Sequence, residues 1–217
     1  GRIEWDKAWA RRLGEKAGLC QPSFKICHSK KEGMEYIRHQ PDQPWFVKAN
    51  GLCEGKGVLS AKNKKEAIEA ISELKKRFGE KANVYLLEKS LKGEEFSSFA
   101  FCNGEKFWIA GNAQDHKTAN DFDQGENTGG MGCSTPPLAL TPRILEKIKK
   151  EIFQKVLQEL SARGDPYKGI LYLGGMLVGA GKNQEPYVIE FNARWGDPEV
   201  QVILPGITSD LFEINFK

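Results

Sequence analysis

The sequence lacks any apolar run close to the roughly 20 residues that a membrane-spanning helix needs. Its first residues, GRIEWDKAWARRL, are charged and amphipathic, unlike a secretory signal peptide. Charge of one sign is also scarce, because 32 basic and 29 acidic residues leave a formal net charge of +3. Nucleic-acid binding needs a clustered basic face, which so small a surplus does not indicate. The composition predicts a cytoplasmic protein whose partners are neither membranes nor nucleic acids.

Cysteine is scarce as well, and no two cysteines form a Cys-x-x-Cys pair. The five are Cys20, Cys27, Cys53, Cys102 and Cys133. Their odd number and wide spacing argue against a disulfide framework and against a zinc site, so reduced thiols are expected. The 217 residues suffice for a sizeable core in one domain or two small ones. Because the first residue is Gly1, we expect the chain to be a piece of a longer protein.

Local patterns predict helices and strands over most of the chain. Helices are predicted over 4–19, from an Asn63 cap to Gly79, and from Thr141-Pro142 to Gly164. The predicted strands are 44–49, 57–61, NVYLLEKSL, the two sides of the Asn103-Gly104 turn, GILYLGGMLVGAG and EPYVIEFN. The segment from Asn112 to Leu140 is polar without an apolar period, which predicts a long irregular loop of a functional kind.

The stretch VKANGLCEGKGV places Gly51, Gly55 and Gly57 around Lys56. Glycines let backbone N–H groups approach an anion, and the lysine adds charge, so the pattern favours phosphate binding. It is not a Walker A loop, because three residues rather than four separate the first two glycines and a strand follows. A hairpin with a solvated lysine is the alternative. Lys48 favours the phosphate hypothesis, because a lysine in an apolar strand needs a counter-charge after folding.

The stretch LLEKSLKGEEFS brings two carboxylates close to a strand crossover. Glu88 ends one strand, Gly93 breaks the chain, and Glu95 begins the next strand. Carboxylates there can accept hydrogen bonds from ribose hydroxyls or an exocyclic amine. Glutamates on the surface beside a turn are the more common explanation.

The predicted loop over 114–132 contains the groups of an oxyanion and amine site. They are Asp115, His116, Lys117, Asn127, Thr128, Gly129, Gly130, Met131 and Gly132. A solvated, disordered loop is the alternative, but the glycine cluster around Met131 favours a specified backbone conformation. His116 is interpreted as a hydrogen-bonding scaffold rather than an acid–base group.

The stretch VIEFNARWGDPE spaces three polar side chains two residues apart. In an extended chain Glu190, Asn192 and Arg194 share one face, while the residues between them face the other way. The two oxygen donors suit Mg²⁺ held partly by phosphate, and the arginine suits a phosphate. An Arg–Glu pair on a half-exposed strand is the alternative.

Together and in this order, these stretches resemble the ATP-grasp ligases, and within them the phosphoribosylamine–glycine ligase family (glycinamide ribonucleotide synthetases). The matching stretches are VKANGLCEGKGV, LLEKSLKGEEFSSF, QDHKTANDFDQGENTGGMG, GILYLGGM and VIEFNARWGDPEVQVILP. The resemblance implies an α+β, ATP-grasp fold, with two α+β subdomains that hold the nucleotide between them. It implies a connecting helix and the start of this region over 1–20, a lid over 21–90 and a core over 91–217. The family's flanking N- and C-terminal domains are expected to lie outside this sequence.

The resemblance also implies roles for individual residues. ATP phosphates would contact Lys48, Gly55, Lys56 and Gly57, adenine would contact Glu88 and the backbone of Lys89 and Leu91, and the ribose would contact Glu95. Glu190 and Asn192 would bind Mg²⁺ or Mn²⁺, while Arg194 and Lys56 would act on the transferring phosphoryl group. The segment from Asp115 to Gly132 and the turn from Asp197 to Glu199 would line the acceptor side. Asn50, Cys133 and Trp195 depart from residues common in the family, but none replaces an implied ligand.

The implied reaction uses ATP to convert glycine to glycyl phosphate, which the amine of 5-phosphoribosylamine then attacks. This is a step of de novo purine biosynthesis, and a mobile lid would protect the acyl phosphate from water. This portion alone is expected to bind Mg-ATP and to ligate glycine poorly or not at all. Three alternatives stay open: a ligase for another carboxylate such as bicarbonate, a non-catalytic nucleotide-binding module, and an interaction domain.

Overall fold

The structure is a computed structural model that describes residues 1–51, 53, 57–120 and 124–216, without the side chains of 117–120, 124–130, 212, 215 and 216. Its contacts divide the chain into two compact units. Unit 1 comprises Gly1–Glu15 and Gln21–Leu91. Unit 2 comprises Lys16–Cys20 and Lys92–Lys217. Among the described residues, every helix is too short or too polar to cross a bilayer.

The elements up to Lys89 alternate helices with short strands. The helices are α1 (Arg2–Trp5), α2 (Lys7–Lys16), α3 (Lys30–His39) and α4 (Lys64–Phe78), followed by a 3-10 turn over Gly79–Ala82. The strands are β1 (Phe24–Cys27), β2 (Trp45–Ala49), β3 (Val58–Ala61) and β4 (Tyr85–Lys89). They form an antiparallel sheet in the order β1-β4-β2-β3.

The sheet of unit 1 has two different faces. Val47, Ala49 and Leu87 belong to the apolar core that also contains side chains of α3 and α4. Because side chains alternate along a strand, Lys48 and Glu88 point to the opposite face. The register pairs Phe46 with Glu88 and Lys48 with Leu86, which makes the lysine and the glutamate diagonal neighbours.

Several predictions for unit 1 are confirmed. β2 and β3 fall within the predicted strands and pair around the glycine-rich segment. α4 begins after Asn63, whose Oδ1 accepts a 2.9 Å hydrogen bond from the N–H of Glu66. Such a cap satisfies one of the N–H groups that the first helical turn leaves unpaired. The helix ends at Phe78, before Gly79 with its φ of 51°.

The predicted helix over 4–19 is wrong as a continuous element. The chain leaves helical geometry at Asp6, whose Oδ1 accepts a 3.0 Å hydrogen bond from the N–H of Trp9. The aspartate therefore starts a second helix, α2, that ends at Lys16.

The sequence analysis missed β1 and α3. A usable signal was Ser29 followed by Glu32, the spacing of a capping box. The hydroxyl of Ser29 accepts a 3.2 Å hydrogen bond from the N–H of Glu32, and Oε2 of Glu32 accepts a 2.8 Å hydrogen bond from the N–H of His28.

From Gly93 onwards, long strands precede and follow one long helical segment. The strands are β5 (Gly93–Asn103), β6 (Phe107–Asn120), β7 (Gln124–Ser134), β8 (Lys168–Val178) and β9 (Glu185–Asn192). The helices are α5 (Pro142–Lys147), a π-helical segment (Ile148–Gln154), α6 (Lys155–Ala162), α7 (Glu199–Ile203) and α8 (Leu211–Phe216), with 3-10 turns over Gly181–Asn183 and Leu204–Gly206. The strands form an antiparallel sheet in the order β7-β6-β5-β8-β9.

The predicted loop between Asn112 and Leu140 is wrong for most of its length. β6 continues to Asn120, and β7 returns beside it, with Gln114 opposite Ser134 and His116 opposite Gly132. Alternation of apolar and polar residues indicates a strand only where one face of the sheet is buried. Here His116 and Met131 are exposed, so the alternation is missing. Backbone pairing holds these strands together, which side-chain periodicity does not reveal.

Other predictions for unit 2 are confirmed. β5 and β6 turn at Asn103-Gly104, where Oδ1 of Asn103 accepts a hydrogen bond from the N–H of Lys106 at 2.9 Å and Gly104 has a φ of 98°. The helical segment from Pro142 to Ala162 lies within the predicted helix and buries one face made of Ile144, Ile148, Ile152, Val156 and Leu160. β8 and β9 coincide closely with the predicted strands GILYLGGMLVGAG and EPYVIEFN, and they pair antiparallel. All five cysteines, which lie in the described part of the chain, are free thiols, as predicted.

Candidate active site

A cluster of three charged side chains lies on the face of the unit 1 sheet opposite α3 and α4. The Glu88 carboxylate receives Nζ of Lys48 at 2.7 Å on Oε2. Arg11, from α2, donates from Nε to Oε1 at 2.7 Å and from Nη2 to Oε2 at 2.9 Å. Arg11, Lys48 and Glu88 are only 5%, 7% and 2% exposed. The prediction that Lys48 needs a counter-charge is confirmed.

Charge keeps this buried carboxylate ionised. Burial alone would raise the pKa of Glu88, but the charges of Lys48 and Arg11 outweigh it and hold the pKa at about 2. The cluster therefore contains two cations and one anion near neutral pH. Sequence reasoning missed Arg11, whose one visible signal was its place on the face of α2 that also buries Ala8 and Gly14.

The remaining nucleotide-binding candidates of unit 1 have different surroundings. Lys89 is exposed, and its backbone N–H donates a 3.0 Å hydrogen bond to the carbonyl of Ser23, while Leu91 is half-buried. Gly57 is buried, and a Cβ there would lie 2.6 Å from Cβ of Cys53, so the packing of the Cys53 side chain against this position requires glycine. Gly55 and Lys56 lie outside the described residues.

In unit 2, β9 places Glu190 and Asn192 together. Nδ2 of Asn192 lies 3.5 Å from Oε1 of Glu190, so the predicted shared face is confirmed for this pair. Gly174 pairs with Glu190 and Gly175 with Val188, which leaves Ile189 as an extra, bulged residue. Glu190 is exposed and Asn192 is buried. The neighbouring carboxylate and amide groups each carry an oxygen donor of the type that a hard cation such as Mg²⁺ takes.

Arg194 lies beyond the end of this strand. β9 ends at Asn192, so the strand does not persist to Arg194 as the alternation predicts. The next residue, Trp195, packs against Phe99 and Phe101, with centroid distances of 5.4 and 5.7 Å. This packing takes the chain away from the strand pairing with β8. The Arg194 side chain is exposed, and its Nη1 donates a 2.9 Å hydrogen bond to the carbonyl of Trp195.

A small cavity beside Glu190 brings together candidates from three strands. Glu95 of β5, Asp115 of β6 and Glu190 of β9 all line it, as do Ser97 and Tyr172. Carboxylates from separate strands thus meet at one concave place of the unit 2 sheet, a feature typical of ligand sites.

Other predicted acceptor residues lie outside the lining of this cavity. His116 is exposed, with Nε2 3.2 Å from Oγ of Ser134, and Met131 and Gly132 are exposed on β7. Asp197 is exposed and accepts a 2.7 Å hydrogen bond from Gln201. The side chains of Lys117, Asn127 and Thr128, and any contacts of Gly129 and Gly130 beyond their place in β7, lie outside the description.

Glu199 lies in the interior of unit 2 and is 3% exposed. Its Oε1 accepts hydrogen bonds from the hydroxyls of Ser97 at 2.9 Å and Tyr172 at 2.7 Å. A Cβ on Gly196 would overlap Oε2 of Glu199, so the turn before α7 depends on glycine. Burial and the negative charge of Glu199 both raise the pKa of Tyr172, which keeps its hydroxyl a donor. No spacing in the sequence identifies Ser97 and Tyr172 as partners of Glu199, because the three residues come from distant parts of the chain.

Comparisons with known proteins agree on one family. The family model described as phosphoribosylglycinamide synthetase, ATP-grasp (A) domain, matches residues 5–200. Phosphoribosylamine–glycine ligase of Streptococcus pneumoniae serotype 4 is 43% identical over 210 residues, which cover 96% of this chain and 49% of that protein. The chain thus spans about half the length of the curated relatives that it matches.

Solved structures show the same similarity. The crystal structure of phosphoribosylamine–glycine ligase from Thermotoga maritima superposes with a TM-score of 0.82 and 35% identity, over 94% of this chain and 51% of that chain. Biotin carboxylase from Campylobacter jejuni, solved as a β,γ-ATP complex, gives a TM-score of 0.74 over 95% of this chain and 44% of that chain. At 16% identity, this second likeness concerns the fold alone.

Proposed function

Because the chain belongs to the phosphoribosylglycinamide synthetase ATP-grasp (A) domain family, we propose that it binds ATP with Mg²⁺ or Mn²⁺ for the ligation of glycine to 5-phosphoribosylamine. It has the ATP-grasp fold, which is of the α+β class. The observation that carries the proposal is the pair Glu190–Asn192, whose glutamate lines one cavity with Glu95 and Asp115.

The metal would be held by Glu190 and Asn192. Their oxygen atoms are the donor type that Mg²⁺ and Mn²⁺ take, and phosphate oxygens and water are the usual further ligands of Mg²⁺. When bound, the cation would neutralise charge on the phosphate oxygens. Gly174 lies opposite Glu190 in the register. A Cβ on Gly174 would lie 3.2 Å from Cγ of Glu190, so glycine at this position gives the glutamate side chain room.

The nucleotide would be bound mainly by cations and backbone groups. We assign the phosphates to Lys48, to Lys56 and to the backbone at Gly55 and Gly57. Both oxygens of Glu88 accept hydrogen bonds from Arg11, and the N–H of Lys89 is bonded to Ser23. The adenine contact would therefore fall to the carbonyl of Lys89 and the backbone of Leu91. Glu95, at the cavity, would accept hydrogen bonds from the ribose hydroxyls.

The chemistry needs no nucleophilic side chain. A carboxylate oxygen of glycine attacks the γ-phosphorus of ATP, and ADP leaves with the electrons of the broken P–O bond. The amine nitrogen of phosphoribosylamine then attacks the carbonyl carbon of glycyl phosphate, loses a proton and expels phosphate. Arg194 and the lysines would stabilise charge on the transferring group, as positioning and charge neutralisation dominate phosphoryl transfer.

The acceptor side would be formed by the 115–132 segment and the turn that begins at Asp197. The buried Glu199 would hold that turn in place through Ser97 and Tyr172. The free cysteines fit the reducing cytoplasm, where we place this step of purine biosynthesis.

Calorimetric titration with Mg-ATP tests the nucleotide site on this chain. Glu190→Ala should weaken Mg-ATP binding about tenfold or more, as one metal ligand is lost. Glu94→Ala is the matched control, because Glu94 is an exposed glutamate of the same sheet that accepts a hydrogen bond from Gln114. No saturable binding by the unaltered chain, or equal affinities of the two variants, would refute the proposal.

The acceptor is tested on a protein of the full length of the relatives that contains this sequence. ADP release should depend on glycine and phosphoribosylamine and should not respond to bicarbonate. Release stimulated by bicarbonate instead would point to a different carboxylate, and glycine-independent release that survives Glu190→Ala would remove the ligase assignment.

A further inference from the structure

We propose that Arg11 is a positioning residue for nucleotide binding, which acts by taking up the charge of Glu88 and so leaving the charge of Lys48 for a phosphate. This inference rests on the proposed nucleotide function of Lys48. Arg11 does not touch the nucleotide in this proposal and acts only through the buried carboxylate.

The first argument is the geometry of the shared carboxylate. Arg11 donates to both oxygens of Glu88, at 2.7 and 2.9 Å, and so forms the forked pair that guanidinium and carboxylate groups make. Nζ of Lys48 lies 2.7 Å from Oε2, which it shares with Arg11. An ammonium group has three N–H donors, and within the described part of the chain Glu88 is the acceptor found for Lys48, so the remaining donors can face an anion.

The second argument is the charge of the cluster. Arg11, Lys48 and Glu88 together carry +1, all three almost completely buried. Without Arg11, Glu88 and Lys48 would form a neutral pair, whose attraction for phosphate is small. In a low-dielectric interior, a cluster with a charge of +1 attracts a nearby anion much more strongly than a neutral cluster does.

The third argument is that Arg11 is itself held in place. Gln21 donates from Nε2 to the carbonyl of Arg11 at 2.9 Å, and its Oε1 lies 3.4 Å from Nη1 of Arg11. A Cβ on Gly14 would lie 2.5 Å from Oε1 of Gln21, so glycine at this position of α2 makes room for the amide. The arrangement fixes the guanidinium before any ligand binds, which lowers the ordering cost of binding.

The test compares charge-altering variants by calorimetry with ATP and adenosine as probes. Arg11→Met should weaken ATP binding roughly tenfold and adenosine binding less than about twofold, because only the phosphates experience the lost charge. Adding Glu88→Gln to Arg11→Met should restore the ATP affinity to within about threefold of the unaltered chain, since Lys48 then again supplies +1.

Arg11→Lys keeps the charge but loses the fork, and it should bind ATP within about threefold of the unaltered chain. This variant decides the matter if Arg11→Met does not fold by circular dichroism. Equal losses for ATP and adenosine in Arg11→Met, no restoration by Glu88→Gln, or a tenfold loss in Arg11→Lys would each show that Arg11 is structural only.

Lys48→Met separates this inference from the proposed function. If Lys48→Met leaves ATP binding unchanged, the proposed role of Lys48 fails. If Lys48→Met weakens ATP binding and Arg11→Met does not, only the role of Arg11 fails.

Discussion

The hydroxyl of Ser97 donates a 2.9 Å hydrogen bond to Oε1 of Glu199, although 102 residues separate them in the chain. Tyr172 donates to the same oxygen from β8. The buried carboxylate therefore ties the centre of the unit 2 sheet to the start of α7. The segment between β9 and α7, which contains Arg194 and Asp197, is held at its far end by this network.

Tyr172→Phe should destabilise the chain by about 1–3 kcal/mol, because it removes a donor from a buried carboxylate. The phenylalanine ring keeps the stacking on Phe99, whose centroid lies 4.4 Å away, so packing changes little. Urea unfolding measures the effect, with Tyr36→Phe as the control, since the Tyr36 ring packs edge-on against Trp45. Equal losses in the two variants would contradict a special role for the hydroxyl of Tyr172.

Gly196→Ala should cost about 1–3 kcal/mol of stability, because the new Cβ would overlap Oε2 of Glu199, which is buried and cannot move aside freely. Gly206→Ala is the matched control, because a Cβ there meets nothing within 4 Å in the described structure. Thermal unfolding of both variants is the measurement. If the melting temperature of Gly206→Ala falls as far as that of Gly196→Ala, the loss of backbone freedom rather than steric overlap explains the destabilisation.

Glu88 should make the free energy of unfolding depend on pH in acid. Its folded pKa of about 2 lies below the ordinary value of 4.5, so its stabilisation is complete above about pH 5 and is lost as the pH falls towards 2. The stability difference between the unaltered chain and Glu88→Gln should therefore shrink over this window. Urea unfolding at several pH values tests it, with Glu69→Gln, on the exposed side of α4, as the control. A difference that stays constant from pH 6 to pH 3 would exclude this linkage.

The cysteines should differ in their reaction with iodoacetamide at pH 8. Cys20 is exposed, whereas burial raises the pKa of Cys27 to about 11 and that of Cys102 to about 12, so few thiolates form there. Mass spectrometry of the native chain should find Cys20 labelled first. The denatured chain, in which all five cysteines should react, is the control. Rapid labelling of Cys102 before Cys20 would contradict the buried environment.

The predictions that succeeded rest on local patterns. Asn63 and Gly79 define the ends of α4, and Asn103-Gly104 defines the β5–β6 turn, because caps and tight turns depend on a few neighbouring residues. Alternation placed Glu190 and Asn192 on one face, since side-chain direction along a strand follows from the backbone itself.

Alternation failed where longer-range contacts decide the conformation. The strand was expected to continue to Arg194, but the packing of Trp195 on Phe99 and Phe101 ends it at Asn192. The strands around His116 were missed, because their pairing uses backbone groups and leaves little apolar pattern in the side chains.

The sequence by itself determined the family, the ends of α4, the Asn103-Gly104 turn, and the carboxylate–amide pair at the end of β9. Only the tertiary structure decided that Arg11 and Lys48 meet on Glu88 and that Ser97 and Tyr172 meet on Glu199. The reason is physical: the spacing of side chains within one element follows from its own dihedral angles. Partners separated by 77 or 102 residues are brought together by sheet register and helix packing.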